Sequence, residues 1–331
     1  MTHPDYLDDA VKSSGSSETV TERPRGEGAV SWAMSEPILF DPVASPFLVP
    51  FDGSFEIARA PTRWEAAPGK SENKDALEDA VDKLAKLQKR LYAHDRYSVL
   101  LVFQALDAAG KDGTIRAVMS GVNPVGCQVF AFKAPSHEEL DHDFLWRCQR
   151  RLPERGRIGV WNRSHYEEVL VVRVHPEYLG AQRLPRGGDD LDQLWRERFE
   201  SIRAAEQHWA RNGCVILKFF LNVSQKEQHE RFLDRINEPD NNWKFNAVDV
   251  EESKRWGDYM TAYQAALNAT STPWAPWYAI PADSKPYMRR AVADIVVETL
   301  SKLELPYPTL SDKDLAELER ARRVLEAERD K

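Results

Sequence analysis

Five short apolar runs, Val99 to Phe103, Val129 to Phe132, Ile158 to Trp161, Val215 to Leu221 and Trp277 to Ile280, are separated by text of helical periodicity. Runs that are apolar at nearly every position suit strands buried on both faces. Strands that alternate with helices build a parallel sheet with helices on either side. Helical spacing is clearest in Leu77, Val81, Leu84, Leu87 and Leu91, and over Leu191 to Arg211, Val250 to Ala269 and Pro286 to Leu303. The last of these has an apolar face of Val292, Ile295, Val296 and Leu300. Two helix starts carry capping-box residues, Ser136 with Glu139 and Ser224 with Glu227. The alternation predicts an α/β chain around one parallel sheet.

Around this core the text changes. Residues 1–45, with the stretch SSGSSETVTERPRGEG, hold too few apolar side chains to offset the entropy of ordering them, so a flexible tail is expected there. Scattered Pro, Gly and single aromatics from Pro46 to Ser71 predict extended wrapping, and residues 46–308 are expected to form a single domain. Residues 309–331 are charged and read as a solvated terminal helix. The formal charge of −8 argues against a general nucleic-acid binder, which needs a net basic footprint. Cys127, Cys148 and Cys214 have neither disulfide-framework nor zinc-ligand spacing. No apolar run reaches the ~18 residues of a membrane span, and no secretory signal opens the chain. A cytoplasmic protein with no membrane partner is expected.

Chemistry concentrates after the first run. Gln104 to Thr114 reads QALDAAGKDGT and leads into helical text. Strand, Gly-containing loop, Lys and helix is the order that cradles phosphate, because successive N–H groups and the helix N-terminus face the anion while Lys adds charge. Ala109, Gly110, Lys111, Asp112, Gly113 and Thr114 are the candidate phosphate contacts. The match to G-x-x-x-x-G-K-[ST] is imperfect: Ala105 replaces the first Gly, and Asp112 replaces the hydroxyl that ordinarily holds magnesium. Asp107, inside the loop, is the candidate metal ligand in its place, with Thr114 a weaker one. Alternatively, Asp107 only stabilises the turn.

The loop DAAGKDGT is followed by SGVNPVGCQV (120–129), FKAPSHEELDHDFLWR (132–147), NRSHYEEVLVVRVH (162–175), ILKFFLNVSQKEQHERFLDR (216–235), WKF (243–245) and TSTPWAPWYAIPAD (270–283). In this order, from about Trp64 to Pro308, the motifs resemble the polyphosphate kinase 2 family. The resemblance implies a P-loop kinase-like, three-layer α/β/α fold with a five-stranded parallel sheet and a helical lid at about residues 225–250. It implies phosphoryl transfer between inorganic polyphosphate and AMP, ADP and ATP with Mg²⁺, for which Mn²⁺ is a substitute, and a homotetramer. Asp107 and Lys111 match the family's metal-associated carboxylate and phosphate-gripping lysine. Asn162 and Arg163, with His165, Tyr166 and Glu167 as candidate nucleotide contacts, are similar to the third subclass, which accepts both AMP and ADP. Glu168 stands where that subclass more often has Asp.

Four more cations draw attention. Lys133 ends the second strand, at the edge where open α/β sheets bind ligands, and is expected to contact phosphate. Lys218, inside the otherwise apolar fourth run, has two readings, a phosphate contact or a structural ion pair. Arg231 and Arg235, a helical turn apart, match the family's lid arginines and would neutralise the transferring phosphoryl group. Alternatively, Glu227, Glu230 and Asp234 partner them on a solvated helix. Lys111, Lys133, Arg163, Arg231 and Arg235 together are expected to line a basic channel for polyphosphate. An ATP-dependent nucleoside monophosphate kinase and a non-catalytic nucleotide- or polyphosphate-binding regulator are the rival functions, Ala105 being the residue that favours the latter.

Overall fold

A computed structural model describes residues 40–185, 190–244 and 246–329. The expected tail lies outside the described residues up to 39. Its last part, 40–45, instead belongs to the domain, because Phe40 and Val43 are buried in the core and Val43 accepts a hydrogen bond from the Tyr278 hydroxyl. The wrapping segment follows: Val49 N–H donates to Trp277 O and Ala279 N–H to Phe47 O, so 47–49 runs beside the last strand.

Helix α1 (Lys70–His94) stops at Asp95, which adopts a left-handed conformation, φ 52°, and donates its N–H to Leu91 O. The chain then enters β1 (Ser98–Gln104), buried at every position. After α2 (Lys111–Val118) and β2 (Cys127–Ala131), the Ser136 capping box forms as expected, opening a helical turn at His137–Leu140. Strand β3 (Ile158–Asn162), α3 (Leu191–Arg211) and β4 (Cys214–Asn222) come next. Helix α4 (Gln225–Asn237) starts with half a capping box. Ser224 Oγ accepts from Glu227 N–H, but Ser224 N–H donates to Asp283, so the strand end and the helix start are tied together instead. The helix expected over Val250 to Ala269 is two helices, α5 (Ala247–Ser253) and α6 (Trp256–Thr270), broken at Lys254 and Arg255. Strand β5 (Trp277–Pro281), α7 (Lys285–Lys302) and the fully exposed α8 (Asp312–Arg329) complete the chain.

The five strands are parallel in the order β2-β3-β1-β4-β5. One sheet face packs against α1, α2 and α7 through residues such as Leu84, Ile115 and Val296. The other packs against α3 and α6 through Trp209, Tyr263 and Leu267. Each fully buried side chain of this kind stabilises the fold by about 1.5–3 kcal/mol. Because the chain leaves β1 towards the α2 face and β3 towards the α3 face, the connections part at the carboxyl ends of these neighbouring strands. That is where an open α/β sheet forms its crevice. Among the described residues, no helix is long and apolar enough to cross a membrane.

Candidate active site

The loop after β1 is built to gather N–H groups. Ala108 (φ 61°) and Gly110 (φ 103°) both take the left-handed conformation, which turns successive amides to one side before α2 begins. Gly110 suits this backbone, whereas Ala108 holds it against a steric cost of about 1 kcal/mol. Two side chains of α4 brace the loop from behind. Gln228 Nε2 donates to Asp107 O at 2.9 Å, and Arg231 donates to Ala108 O and Ala109 O at 3.1 and 2.8 Å.

Beside the loop, β3 delivers its own residues. Phe103 is level with Asn162 in the sheet, and Arg163 N–H reaches across to Phe103 O. Arg163 has φ 64°, a turn that swings its side chain onto the loop. Its guanidinium forks between Asp107 Oδ1 at 2.9 Å and Glu167 Oε2 at 3.2 Å. Glu167 first, and Asp107 after it, hold that guanidinium charged against the penalty of partial burial. Asn162 Nδ2 donates to Asp112 Oδ1 at 2.6 Å, tying the end of β3 to the first turn of α2.

Lys111 is buried, and its ammonium folds back to donate to Ala105 O at 2.7 Å and Leu106 O at 3.3 Å. Burial pulls its pKa below the usual lysine value, with Asp107 opposing the shift. Thr114 is buried, and its Oγ1 donates to Gly110 O at the start of the same helix. Gly113 is partly covered, and a Cβ there would stand 3.1 Å from an Arg289 nitrogen.

In front of the loop lies a cleft of about 650 Å³ bounded by Asp107, Lys133, Arg163 and Glu167 on the sheet side and by Asp249 and Tyr263 on the far side. Lys133 is exposed on its wall, and its carbonyl accepts from Arg147, whose guanidinium lies 5.5 Å from the Phe132 ring centre. Asp249 escaped the sequence reading. It sits on α5 and pairs with Arg235 at 3.4 Å; its carboxyl is pushed up by burial and then by Asp107, with Arg235, Arg163 and Lys111 opposing. In the sequence it looks like an ordinary first-turn acid after the Asn246 cap. Only the folding of α5 towards the loop brings it near Asp107. Tyr259 and Tyr263 of α6 were missed for the same reason.

Four expected contacts are placed elsewhere. Lys218 is fully buried, its Nζ donating to Glu206 at 2.6 Å, to Tyr166 Oη at 2.8 Å and to Thr270 O at 2.8 Å, so the ion-pair reading replaces the phosphate one. His165 and Tyr166 are enclosed with it. The His165 ring packs among Trp161, Tyr166 and Trp209 with Glu206 at 3.4 Å, and Tyr166 Oη donates to Glu206 at 2.9 Å. Neither presents a free side chain to a nucleotide, because β3 turns immediately after Arg163 and carries both into the α3 interface. Arg231 is likewise buried, with Glu227, the two loop carbonyls and Ala282 O as its partners, so in this structure it braces the loop. Within the expected lid at 225–250, α4 is tied to the loop by Gln228 and Arg231. The part that overhangs the cleft is α5.

The chain's relatives agree with this geometry. Residues 68–307 match the family described as Polyphosphate kinase 2. An ADP-polyphosphate phosphotransferase of Rhodopseudomonas palustris is 53% identical over 251 residues, covering 76% of this chain and 87% of its own. An AMP/ADP-polyphosphate phosphotransferase of Meiothermus ruber is 43% identical over 271 residues, covering 80% and 97%. The crystal structure of polyphosphate kinase 2 from Arthrobacter aurescens superposes with a TM-score of 0.74 at 36% identity, covering 82% of this chain and 93% of that one. With a glycine-lysine loop at the sheet crevice, Arg163 forked across it and a family match over most of its length, this chain belongs to the polyphosphate kinase 2 family.

Proposed function

We propose that this protein transfers phosphoryl groups reversibly between inorganic polyphosphate and adenine nucleotides, phosphorylating AMP to ADP and ADP to ATP in the presence of Mg²⁺. The observation that carries the reading is Arg163, held between Asp107 and Glu167 where the loop meets the cleft. A permanently charged, forked donor at that junction suits a phosphoryl group in passage. The printed activities of the two relatives support polyphosphate as donor, and the Meiothermus relative supports both acceptors.

In this reading the loop amides and Lys111 hold the end of the polyphosphate chain, and the nucleotide lies in the cleft. An oxygen of its terminal phosphate attacks the end phosphorus in line, and the P–O bond to the rest of the chain breaks, leaving polyphosphate one unit shorter. Asp107 and Arg163 position the two reactants, and Tyr263 and α5 keep water out. The donor set suits Mg²⁺, which is usually held by one or two carboxylates together with substrate phosphates and water. Asp107, about a third exposed, with Asp249 facing it electrostatically, would supply them. The ion would supply charge neutralisation on the phosphate oxygens. A homotetramer in the cytoplasm belongs to the same proposal.

Purified protein incubated with Mg²⁺, polyphosphate and either AMP or ADP, followed by nucleotide chromatography, tests it. ADP and ATP from AMP, and ATP from ADP, are expected, none of it without polyphosphate. Product from one acceptor alone would overturn the dual-acceptor reading. Product only when ATP replaces polyphosphate would instead make it a nucleotide-dependent kinase, and no product with either donor would leave a regulator.

A further inference from the structure

α5 overhangs the cleft with little support of its own. At seven residues it is too short to hold a helical shape in water without packing. Of its described side chains, Ser253 at the end is buried, whereas Val248 near the start is 59% exposed. Asp249 ties it to Arg235 of α4 through a partly exposed pair at 3.4 Å. A second tie comes from the segment after β3. Val171–Val174 forms one helical turn, and His175 follows it, buried in the cleft wall. His175 Nε2 lies 2.9 Å from Glu252 Oε2 on α5. A carboxylate only accepts, so Nε2 carries the proton and donates. The adjacent carbonyl, Val174 O, accepts from Arg255 at 3.1 Å, at the break between α5 and α6.

Glu252 is where three elements meet. The same Oε2 accepts from Tyr259 Oη of α6 at 2.7 Å. Burial first, and Glu252 after it, raise the Tyr259 pKa, which keeps that hydroxyl a donor. The other imidazole nitrogen, Nδ1, faces Glu177 Oε1 at 3.1 Å, but the Glu177 side chain is 62% exposed and water screens the pair. Stacking on Tyr178, with ring centres 5.3 Å apart, fixes the plane of the ring. The segment that carries His175 is itself firmly held, because Leu170 and Val174 belong to the core on the α3 face and Glu168 pairs with Arg198 of α3 at 3.1 Å. With both nitrogens committed and its side chain 8% exposed, His175 offers nothing directly to a ligand. Asp249, three residues before Glu252, shares a face of α5 with it and is the residue that faces Asp107.

We propose that His175 is a positioning residue for the acceptor side of the site: through Glu252 it pins α5, and so sets where Asp249 and Val248 stand over the cleft. The inference rests on the acceptor nucleotide lying in that cleft. Without the pin, α5 is still joined to α4 by Arg235, but its end nearest α6 is free to swing. The nucleotide must then order that wall as it binds, and the ordering cost lowers its affinity. The donor side is spared, because the loop is braced by Gln228 and Arg231 of α4 and not by α5.

Calorimetric titration of ADP into the full chain, with Mg²⁺ and without polyphosphate, reads the acceptor side, and the KM for polyphosphate on the same samples reads the donor side. His175→Phe should weaken ADP binding about tenfold, the scale of one charge-assisted hydrogen bond, and leave the polyphosphate KM unchanged. Glu252→Leu should do the same, and His175→Phe/Glu252→Leu should be no worse than either alone, because both break one contact. His175→Gln, whose amide still donates towards Glu252, should recover most of the affinity, and Glu177→Gln should leave it unaltered. Losses that multiply in the double variant would make the two residues independent contacts and overturn the pin. Unchanged ADP affinity, or an equal loss for both substrates, would overturn it as well. A wild type that binds no ADP would instead overturn the nucleotide reading of the cleft, and one that binds ADP but uses no polyphosphate would overturn only the proposed transfer.

Discussion

Neutralising one side of the Lys218–Glu206 pair is the sharpest test of how this core is held. Both side chains are essentially inaccessible, at 0% and 1%, and each is a hub: Lys218 donates to Glu206, Tyr166 and Thr270 O, while Glu206 also accepts from Tyr166. Lys218→Met therefore strands a buried carboxylate with only the Tyr166 hydroxyl and the His165 ring beside it. Breaking a buried pair from one side costs about 3–5 kcal/mol, whereas replacing both partners by apolar groups is often close to neutral. With a urea m-value of about 3 kcal/mol/M for a domain of this size, the single variant should lose about 1–1.7 M in its unfolding midpoint. Lys218→Met/Glu206→Leu should recover most of that. Equilibrium unfolding followed by tryptophan fluorescence reads the shift, and KM for polyphosphate is measured on the same samples. A Lys218→Met protein of native stability but with a greatly raised polyphosphate KM would refute the argument and restore Lys218 as a phosphate contact.

Other perturbations separate roles in the same way. Lys111→Ala should lower kcat by about 10²–10³-fold, the scale of losing a donor aimed at transition-state charge, with the fold retained by circular dichroism. Asp107→Asn should lose activity comparably and shift the Mg²⁺ dependence; an unaltered Mg²⁺ titration would remove Asp107 from the metal site. Arg231→Ala should cost about 2–4 kcal/mol in stability as well as turnover, since it leaves the Ala108, Ala109 and Ala282 carbonyls unpaired; a catalytic loss with no loss of stability would mean it acts on substrate and not as a brace. Burial brings the Lys218 pKa down to about 8, with Glu206 opposing, from an ordinary 10.5. Between those values the unfolded chain binds the proton more readily, so this group's contribution to stability rises with pH from about 8 to 10.5 and falls away as pH drops through 8. Unfolding midpoints across that range should show this slope in the wild type and lack it in the Lys218→Met/Glu206→Leu variant.

Much of the architecture was legible because it is written in local periodicity. The five apolar runs became the five strands, with ends within about two residues, since a strand buried on both faces needs apolar residues at nearly every position. Leu191 to Arg211 is a helix over that same span. The break between α5 and α6 was not legible. Residues 250–269 have unbroken helical text, and only the packing of Arg255 onto Val174 O and the Tyr259–Glu252 hydrogen bond across the break place the turn.

The site divides along the same line. Strand, loop, Gly110 and Lys111 are contiguous, so their chemistry follows from order along the chain alone, and the motifs from 120 to 283 are local enough to carry the family resemblance. What a cation or a histidine does depends instead on which partners arrive from far away in sequence. Lys218 meets Glu206 and Thr270, Arg231 meets Ala108 and Ala282, and His165 is enclosed between β3 and α3. Asp249 became notable only through the same long-range approach, folding towards the loop's acceptor side. A charged residue's identity is set by the sequence, but its free energy is set by desolvation and by the charges around it. Both of those exist only once the chain has folded.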